Sequence, residues 1–316
     1  MQSFLKFLLL IAAGTAFGQP YPSKPVHLVV AFPPGGPVDI IARLITPKMS
    51  EALGQPIVVE NKTGASGNLA AAQVAKSAAD GYTILAHSSA YAVNSSLFAD
   101  PGYDAQKDFI PVAVVASQPN LILVNAEFPA RSLAELLQMA RAQKLAFASP
   151  SSGTTPHLTA ENLFRVRAKL DITHVPFRGA GPAVAALLGG QPPIGSLAGS
   201  APMPHIKSGK LRALAVSSSK RLASLPDVPT LTELGYSDME DYTWVGLFLP
   251  AGTPVGIAQK LNDAVLRAVQ GPDLRERLDA LAFDVTAAPL RETADYVKSE
   301  LVKWAKVVRD TGAKAE

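Results

Sequence analysis

Five short segments place glycines and hydroxyl side chains between an apolar run and a helix-forming run. They read FPPGGPVD at 32–39, NKTGASGN at 61–68, HSSA at 87–90, SPSSGTTPH at 149–157 and FRGAGP at 177–182. The start of a helix leaves backbone N–H groups without an acceptor, and serine and threonine add hydroxyl donors, so such segments can hold an anion without burying a lysine. In open α/β sheets the crevice beyond the carboxyl ends of the strands is the usual ligand site. These residue types therefore predict a cleft that binds a carboxylate.

The candidate ligand-binding residues come from these segments and from one later apolar run. They are Phe32, Pro34, Gly35, Gly36, Asp39, Ser66, Gly67, Asn68, Ser88, Ser89, Ser149, Ser151, Gly153, Thr154, Thr155, His157, Phe177, Arg178, Gly179 and Ser196. For each segment the alternative is a purely structural role as a turn or a helix cap. Arg178 either pairs with a ligand carboxylate or faces solvent, and His157 either contacts ligand or serves the helix or the core.

Other kinds of site are not supported by the spacing of the chemically active residues. The five histidines show no metal-binding spacing, so we expect neither a metal nor a cofactor. The segment 177–182 lacks the third glycine of a dinucleotide-binding loop, which argues against nucleotides. A G-x-S-x-G elbow would need glycine at position 68, where the chain has Asn68. A secreted α/β hydrolase with Ser66 or Ser152 as nucleophile stays as an alternative, although nothing nearby in the sequence supplies a base.

The composition indicates an exported globular protein without disulfides. The 316 residues are 48% hydrophobic and 17% charged, with a net charge of +3 and no cysteine. No basic run with interleaved aromatic residues is present, so nucleic acid is not expected as a partner. Lys6, the apolar run Phe7–Ala13 and the small residues Ala16 and Gly18 at the −3 and −1 positions are typical of a signal peptide, residues 1–18, cleaved after Gly18. We therefore expect the mature protein outside the cytoplasm.

Short apolar runs alternate with amphipathic runs along most of the chain, which indicates an α/β fold with parallel sheets covered by helices. The predicted strands are Val26–Ala31, Ile57–Glu60, Tyr82–Ala86, Phe109–Ala116, Leu121–Val124, Leu145–Ala148, Ile172–Val175, Leu211–Val216 and Trp244–Leu249. The predicted helices are Pro37–Leu53, Asn68–Ala78, Leu133–Gln143, Leu158–Arg167, Ala183–Leu188, Val255–Val269, Asp273–Leu281 and Leu290–Val308. Near Asn120 and near Asp241 extended runs lack a covering helix, so we expect the chain to cross there between two lobes.

Blocks of sequence from about Tyr21 to Ala313 match one known family in their order and spacing. The blocks are YPSKPV at 21–26, FPPGGPVD at 32–39, LGQPIVVEN at 53–61, ADGYT at 79–83, HVPFRG at 174–179, PHIKSGKLRALAV at 204–216 and LPDVPT at 225–230. The chain resembles the Bug-type receptors of tripartite tricarboxylate transport systems.

The resemblance implies a periplasmic binding protein fold (type II-like) with two lobes, a cleft and two crossovers. Lobe 1 is expected to contain residues 19–121 and 242–316, and lobe 2 residues 122–241. A small-molecule carboxylate is expected in the cleft, held by the loop that starts at Phe32 and by the loop 149–157. The expected partners of this periplasmic receptor, which we expect to be a monomer, are integral-membrane transporter subunits. A sensor kinase of a two-component system is the alternative.

Two departures from the family pattern bear on the ligand. Where relatives often have Phe-Asp after a Gly-Gly-Gln segment, this chain has Ser196 and Leu197. An aspartate at this position can pair with the ammonium group of a ligand in members that bind amino acids. Leucine cannot, so we predict a ligand without an amino group. The usual Tyr-Lys-Gly is replaced by Phe177, Arg178 and Gly179, which removes a phenol and changes the cation.

Overall fold

The computed structural model describes residues 21–315, and these form ten strands and ten α-helices in two lobes. The predicted signal peptide, residues 1–18, lies outside the described residues. The strands form one mixed, curled sheet in the order β2-β1-β3-β9-β4-β7-β5-β6, with β8 and β10 also paired to β4. No helix among residues 21–315 is both long enough and apolar enough to cross a membrane.

Lobe 1 is built from both ends of the chain around a parallel core of three strands. Its elements are β1 (Val26–Val30), α1 (Pro37–Leu53), β2 (Ile57–Asn61), α2 (Asn68–Ala75), β3 (Thr83–Ser88), α3 (Ala90–Leu97), β9 (Tyr242–Pro250), α8 (Val255–Val269), α9 (Pro272–Ala280), β10 (Asp284–Val285) and α10 (Leu290–Thr311). β1 pairs in parallel with β2 and β3, and β9 runs antiparallel beside β3. The loops that follow β1, β2 and β3 therefore leave the same edge of the sheet.

Lobe 2 is the middle of the chain. Its elements are α4 (Leu133–Ala142), β5 (Ala146–Ser149), α5 (Thr155–Glu161), β6 (Thr173–Pro176), α6 (Ala180–Leu188), β7 (Ile194–Ala198), α7 (Met203–Lys207) and β8 (Leu211–Val216). β5 pairs in parallel with β6 and β7, so the loops after β5 and β6 also leave one edge together.

The lobes are joined by β4 (Phe109–Asn125) and by the start of β9. The sequence pattern predicted two strands with a break at 117–120, but the structure has one continuous strand of 17 residues. Phe109–Pro119 pairs with β9 in lobe 1, and from Asn120 onward the strand pairs with β7 and β8 in lobe 2. Pro119 lies where β4 exchanges partners, so the proline interrupts neither half of the sheet. The two expected crossovers near Asn120 and Asp241 are thereby confirmed, whereas the exact lobe boundaries stay a prediction.

The short elements were harder to predict than the long ones. The pattern missed α3, β7, α7 and β10, and it started α5 three residues late, at Leu158 instead of Thr155. After Glu161 the chain continues as a π-helical turn to Arg167, which the pattern read as ordinary helix. The early start of α5 matters because it puts the first turn of the helix beside the cleft.

Each lobe has its own apolar core on both faces of its sheet. In lobe 1, α1, α8 and α9 pack on one face, while α2, α3 and α10 pack on the other around Trp244 and Trp304. In lobe 2, α4 and α5 cover one face and α6 the other. Asn120 and Asp241, where the chain crosses between the cores, are buried, so the lobes are joined through β4 and β9 in the middle of the sheet.

Candidate functional site

A small cavity between the lobes, which we call the inner chamber, is formed where β1 and β5 end. Its volume is about 40 Å³, roughly the room that three water molecules need. The lining residues are Phe32, Pro33, Gly36, Pro37, Val38, Ser88, Pro150, Thr154, Thr155, Pro156, Gly179, Ala180, Ala198 and Thr243. Of the predicted residues, Phe32, Gly36, Ser88, Thr154, Thr155 and Gly179 are thus brought together around one space.

A larger cavity, the outer chamber, adjoins the inner chamber and has a volume of about 450 Å³. Phe32, Pro33, Pro150 and Gly179 line both chambers. The other residues around the outer chamber are Ala31, Thr63, Gly64, Ala65, Ser66, Gly67, Ser151, Phe177 and Arg178. The cleft is therefore a narrow inner space that opens past a neck of prolines and an aromatic ring into a wider outer one.

Three helices begin at the inner chamber. α1 starts after Gly36, α5 after Thr154 and α6 after Gly179, and none of these N-cap residues bonds a backbone N–H with its side chain. Glycine has no side chain to do so, and the Thr154 hydroxyl donates instead to the Ser151 carbonyl at 2.8 Å. Pro37, Pro156 and Pro182 have no N–H, so only the other N–H groups of the first turns are left for a ligand, and the partial positive charge of each helix start favours an anion there.

Hydroxyl groups of the two lobes touch beside the outer chamber. Ser66 of lobe 1 lies 2.6 Å from the Ser151 hydroxyl of lobe 2, and it also donates to the Ser152 carbonyl. Ala65 and Ser66 both have positive φ, 45° and 55°, a conformation that residues other than glycine seldom adopt. The backbone at this point is bent so that the Ser66 side chain reaches across the cleft.

A second contact between the lobes lies deeper. The Ser89 hydroxyl is 3.0 Å from the hydroxyl of Thr155, which is 2.7 Å from that of Thr243. Thr243 was not among the sequence candidates, although it directly precedes the predicted strand Trp244–Leu249 at an expected crossover. Only the pairing of β9 with both β3 and β4 shows that it faces the chamber.

Several predicted residues lie outside both chambers and hold the loops around the chambers in place. Asp39 accepts hydrogen bonds from Gly35 N–H, Arg43 and Asn61, each at 2.9 Å, which fixes the β1–α1 loop. Pro34 and Gly35 form the exposed tip of this loop. These contacts position the loop, and Asp39 keeps its charge paired away from the chamber.

Four other predicted residues also hold their neighbours in place without lining a chamber: Asn68, Gly153, His157 and Ser196. The Ser196 hydroxyl donates to the Pro156 carbonyl at 2.6 Å, and Gly153 N–H donates to His157 Nδ1 at 3.2 Å. Asn68 accepts from the Asn94 amide at 2.7 Å. Each of these bonds steadies a residue that neighbours the cleft.

Two stacked histidines lie beneath the α5 loop. The rings of His157 and His174 are 3.9 Å apart, and His174 Nε2 is 2.7 Å from the buried Ser149 hydroxyl. Burial lowers the pKa of His174 to about 4, and burial, followed by the neighbouring His174, holds the pKa of His157 well below its usual value. Both rings are therefore neutral near pH 7 and act as packing and hydrogen-bonding groups.

The hydrolase alternative receives no support from the two serines on which it depends. The Ser66 hydroxyl bonds to Ser151 and Ser152, and within residues 21–315 no histidine bonds to the hydroxyl of Ser66 or Ser152. Among the described residues, Ser149 is the serine whose hydroxyl bonds to an imidazole, and it is fully buried. An activated serine needs both a base and access to substrate.

The position that suggested a ligand without an amino group faces the core. Leu197 is fully buried and packs against the apolar core of lobe 2, whereas its neighbour Ala198 lines the inner chamber. Alternation along β7 explains the difference, since successive side chains point to opposite faces of a sheet. The group that lines the inner chamber at this point is therefore the methyl side chain of Ala198.

The chain is similar in sequence to one family of transport receptors. A family model described as "Tripartite tricarboxylate transporter family receptor" matches residues 41–313. BugT of Bordetella pertussis is 38% identical over 298 residues, which cover 93% of this chain and 91% of BugT.

Solved structures of this type superpose over nearly the whole chain. MatC of Rhodopseudomonas palustris, with bound malate, has a TM-score of 0.86 and 37% identity and covers 91% of this chain and 100% of MatC. Rpa4515 of R. palustris, with adipate, has a TM-score of 0.89 and 33% identity and covers 94% of this chain and 100% of Rpa4515. These matches confirm the resemblance to Bug-type receptors and the two-lobed periplasmic binding protein fold. The chain belongs to the tripartite tricarboxylate transporter receptor family.

Proposed function

We propose that this protein captures a small organic carboxylate without an amino group in the periplasm and delivers it to integral-membrane subunits of a tripartite transporter. The observation that carries the proposal is the convergence of three uncapped helix starts on one chamber between the lobes. Hydrogen bonds to a charged group contribute about 1.5–3 kcal/mol each, so several of them can outweigh the cost of ordering the ligand and the hinge and reach micromolar affinity, a binding free energy of about −8 kcal/mol.

The lining of the inner chamber supports a ligand head group that is purely anionic. Its lining residues include no aspartate or glutamate among the described part of the chain, and Asp39 is paired elsewhere. An ammonium group would therefore lose its hydration without gaining a counter-charge, which is costly.

The outer chamber supports a ligand that extends beyond its bound carboxylate. It is about ten times larger than the inner chamber and has Arg178 at its edge. Arg178 is exposed, so a second carboxylate near it would gain only a screened interaction. The inner chamber is thus proposed to fix the head group, while the outer chamber tolerates different tails.

The contacts between the lobes support a closing motion on binding. Ser66 reaches Ser151, and Ser89 reaches Thr155, from opposite sides of the cleft. A ligand that touches both lobes gains contacts only when they meet, so it shifts the population toward the closed form. The closed form is what the membrane subunits would recognise.

The first experiment measures binding by calorimetry with matched acids. We expect succinate, malate or adipate to bind, and aspartate and 2-aminoadipate to bind at least tenfold more weakly than the acid without the amino group. Arg178→Gln should weaken adipate binding two- to fivefold, whereas Arg131→Gln, an exposed arginine of lobe 2, should have no effect. Tighter binding of the amino acids would contradict the proposed ligand class.

A second experiment addresses the partner. Cross-linking of the ligand-loaded protein in membranes of its host should recover multi-span transporter subunits, and deletion should abolish uptake of the ligand. Recovery of a histidine kinase, with uptake intact, would instead favour the sensor alternative.

A further inference from the structure

The turn at residues 64–67, beside the outer chamber, has positive φ at four consecutive positions: 140°, 45°, 55° and 92°. Residues other than glycine adopt this conformation only singly, because the Cβ crowds the backbone, and among residues 21–315 no other two neighbours share it. Ala65 and Ser66 therefore hold backbone strain in the middle of the turn. Such strain persists only where the surroundings fix the conformation.

The amide of Asn94, on α3, holds this turn from inside lobe 1. The side chain is fully buried, and its NH₂ group donates to the Ser66 carbonyl at 2.9 Å and to Asn68 Oδ1 at 2.7 Å. An amide nitrogen has two protons, so both are used on the turn and on the residue that follows it. Because an unpaired buried carbonyl is costly, the first of these bonds ties the backbone of Ser66 to α3.

The sheet of lobe 1 supports the turn from another side. Gly67 lies against His87 of β3 and Ala31: an added Cβ would be 2.2 Å from His87 Nε2 and 3.1 Å from the Ala31 Cβ. The Gly67 N–H donates to the Gly64 carbonyl at 2.9 Å, which closes the turn. All of these supports belong to lobe 1, so they hold the turn whether or not the lobes are in contact.

The turn carries the contact that Ser66 makes with lobe 2. The Ser66 hydroxyl donates its single proton to the Ser152 carbonyl, so it must accept from the Ser151 hydroxyl, 2.6 Å away. Asn94 lines neither chamber and can therefore influence a ligand only through its neighbours. If the turn relaxed, Ser66 would leave Ser151, and part of the wall of the outer chamber would move.

Resting on the proposed function, we infer that Asn94 is a positioning residue: its amide holds the strained turn 64–67 so that Ser66 is directed across the cleft before a ligand arrives. The strain is then balanced when the protein folds, and ligand binding does not have to supply it. Without the amide the turn relaxes in the open form, and each closure must restore it. The strain of one left-handed residue corresponds to about a 5- to 30-fold rise in the dissociation constant.

The test compares Asn94→Ala with Asn262→Ala. Asn262 is also a fully buried asparagine of lobe 1, and its amide donates to the carbonyls of Val112 at 2.8 Å and Ala288 at 3.0 Å, away from both chambers. Both variants should lower the urea midpoint. Dissociation constants for succinate, malate and adipate are measured by calorimetry. Asn94→Ala should raise them about 5- to 30-fold, whereas Asn262→Ala should leave them unchanged.

A glycine at position 65 separates positioning from simple packing. Glycine adopts positive φ without strain, so Ala65→Gly should tighten binding by Asn94→Ala severalfold more than it changes binding by the wild type. If Asn94 only fills space, Ala65→Gly has the same effect in both backgrounds. Ser151→Ala should likewise cost less affinity in Asn94→Ala than in the wild type, because Ser66 has already lost its place.

Hydrogen exchange without ligand measures the turn itself. The peptide that contains residues 64–67 should exchange faster in Asn94→Ala and not in Asn262→Ala. Where Asn94→Ala does not fold, Asn68→Ala takes its place: it removes one of the two acceptors of the same amide, leaves α3 intact and should change affinity and exchange in the same direction.

Each outcome decides one question. If none of the three acids binds the wild type, both the carboxylate receptor and this inference are overturned. If acids bind but Asn94→Ala binds them like the wild type, exchanges like the wild type or is not rescued by Ala65→Gly, the inference alone fails. Weaker binding with faster exchange, relieved by Ala65→Gly, supports it.

Discussion

A methyl group at position 153 provides a direct test of whether the lobes must meet for ligand to be held. Gly153 belongs to the α5 loop of lobe 2 and has a φ of +80°. An added Cβ would lie 2.6 Å from Asn94 Oδ1 and 2.8 Å from Leu97 Cδ2, both on α3 of lobe 1. When the lobes separate, this clash disappears. The substitution Gly153→Ala should therefore penalise the closed form more than the open one.

The backbone effect of the substitution needs its own control. Gly209, also in lobe 2, has a φ of +73° and nothing within 4 Å of its missing Cβ. An alanine at either position costs about 1–2 kcal/mol of backbone strain, but only the one at position 153 meets the other lobe. Overpacking of this kind costs about 1–3 kcal/mol, which raises the dissociation constant about 5- to 150-fold.

The assay combines calorimetry with small-angle X-ray scattering on the wild type, Gly153→Ala and Gly209→Ala. With the tightest acid of the panel, Gly209→Ala should bind and compact like the wild type. Gly153→Ala should bind more weakly and compact less at the same ligand concentration. In urea unfolding without ligand, the midpoints of both variants should lie below that of the wild type by a similar amount. Equal affinity and equal compaction for the two variants would refute the idea that closure at this point stabilises the complex.

Three further predictions concern stability and closure. Burial lowers the pKa of His87 to about 4, so the unfolded chain binds more protons than the native one below about pH 6.5. This histidine alone should leave stability in urea unchanged above that pH and lower it by up to about 3 kcal/mol toward pH 4, and the buried His157 and His174 add to the fall. His87→Asn should make stability depend less steeply on pH in this range, whereas His27→Asn, at an exposed histidine, should not. Equal pH dependence in the two variants would contradict the assignment of the effect to His87. Ser151→Ala removes the 2.6 Å contact with Ser66 and should weaken ligand binding about 2- to 13-fold by calorimetry, the effect of one hydrogen bond of about 0.5–1.5 kcal/mol; unchanged affinity would show that this contact is not made on closure. Trp304→Ala should lower the free energy of unfolding by about 3–5 kcal/mol, since the ring is fully buried, and a loss below about 1 kcal/mol would place it outside the core.

Hydrophobic periodicity predicted the long elements of the fold because their patterns are local. α1 and α8 were predicted with the bounds Pro37–Leu53 and Val255–Val269 that the structure has, and β8 likewise at Leu211–Val216. The pattern failed where tertiary pairing decides the structure. β4 is continuous through Pro119 because it exchanges one partner strand for another there, and no local signal announces that exchange.

The candidate site was predictable in its loops but less so in its individual residues. Glycine and hydroxyl clusters at strand ends led to the loops that line both chambers, and α1 begins there at the predicted Pro37, whereas α6 begins at Ala180, three residues before its predicted start. The separation of lining residues from supporting ones needed coordinates. Asp39, for example, was a candidate ligand contact by residue type and position, yet its three hydrogen bonds fix the β1–α1 loop.

The direction of a hydroxyl bond is a further property that sequence does not carry. Serine and threonine were chosen as donors to a carboxylate, and each can equally accept, so the residue type leaves the matter open. Coordinates settle the direction where a neighbouring atom can only accept. The Thr154 hydroxyl, for example, donates to the Ser151 carbonyl, so its proton is already used within the α5 loop. A loop rich in hydroxyls can therefore offer a ligand fewer donors than its residue types suggest.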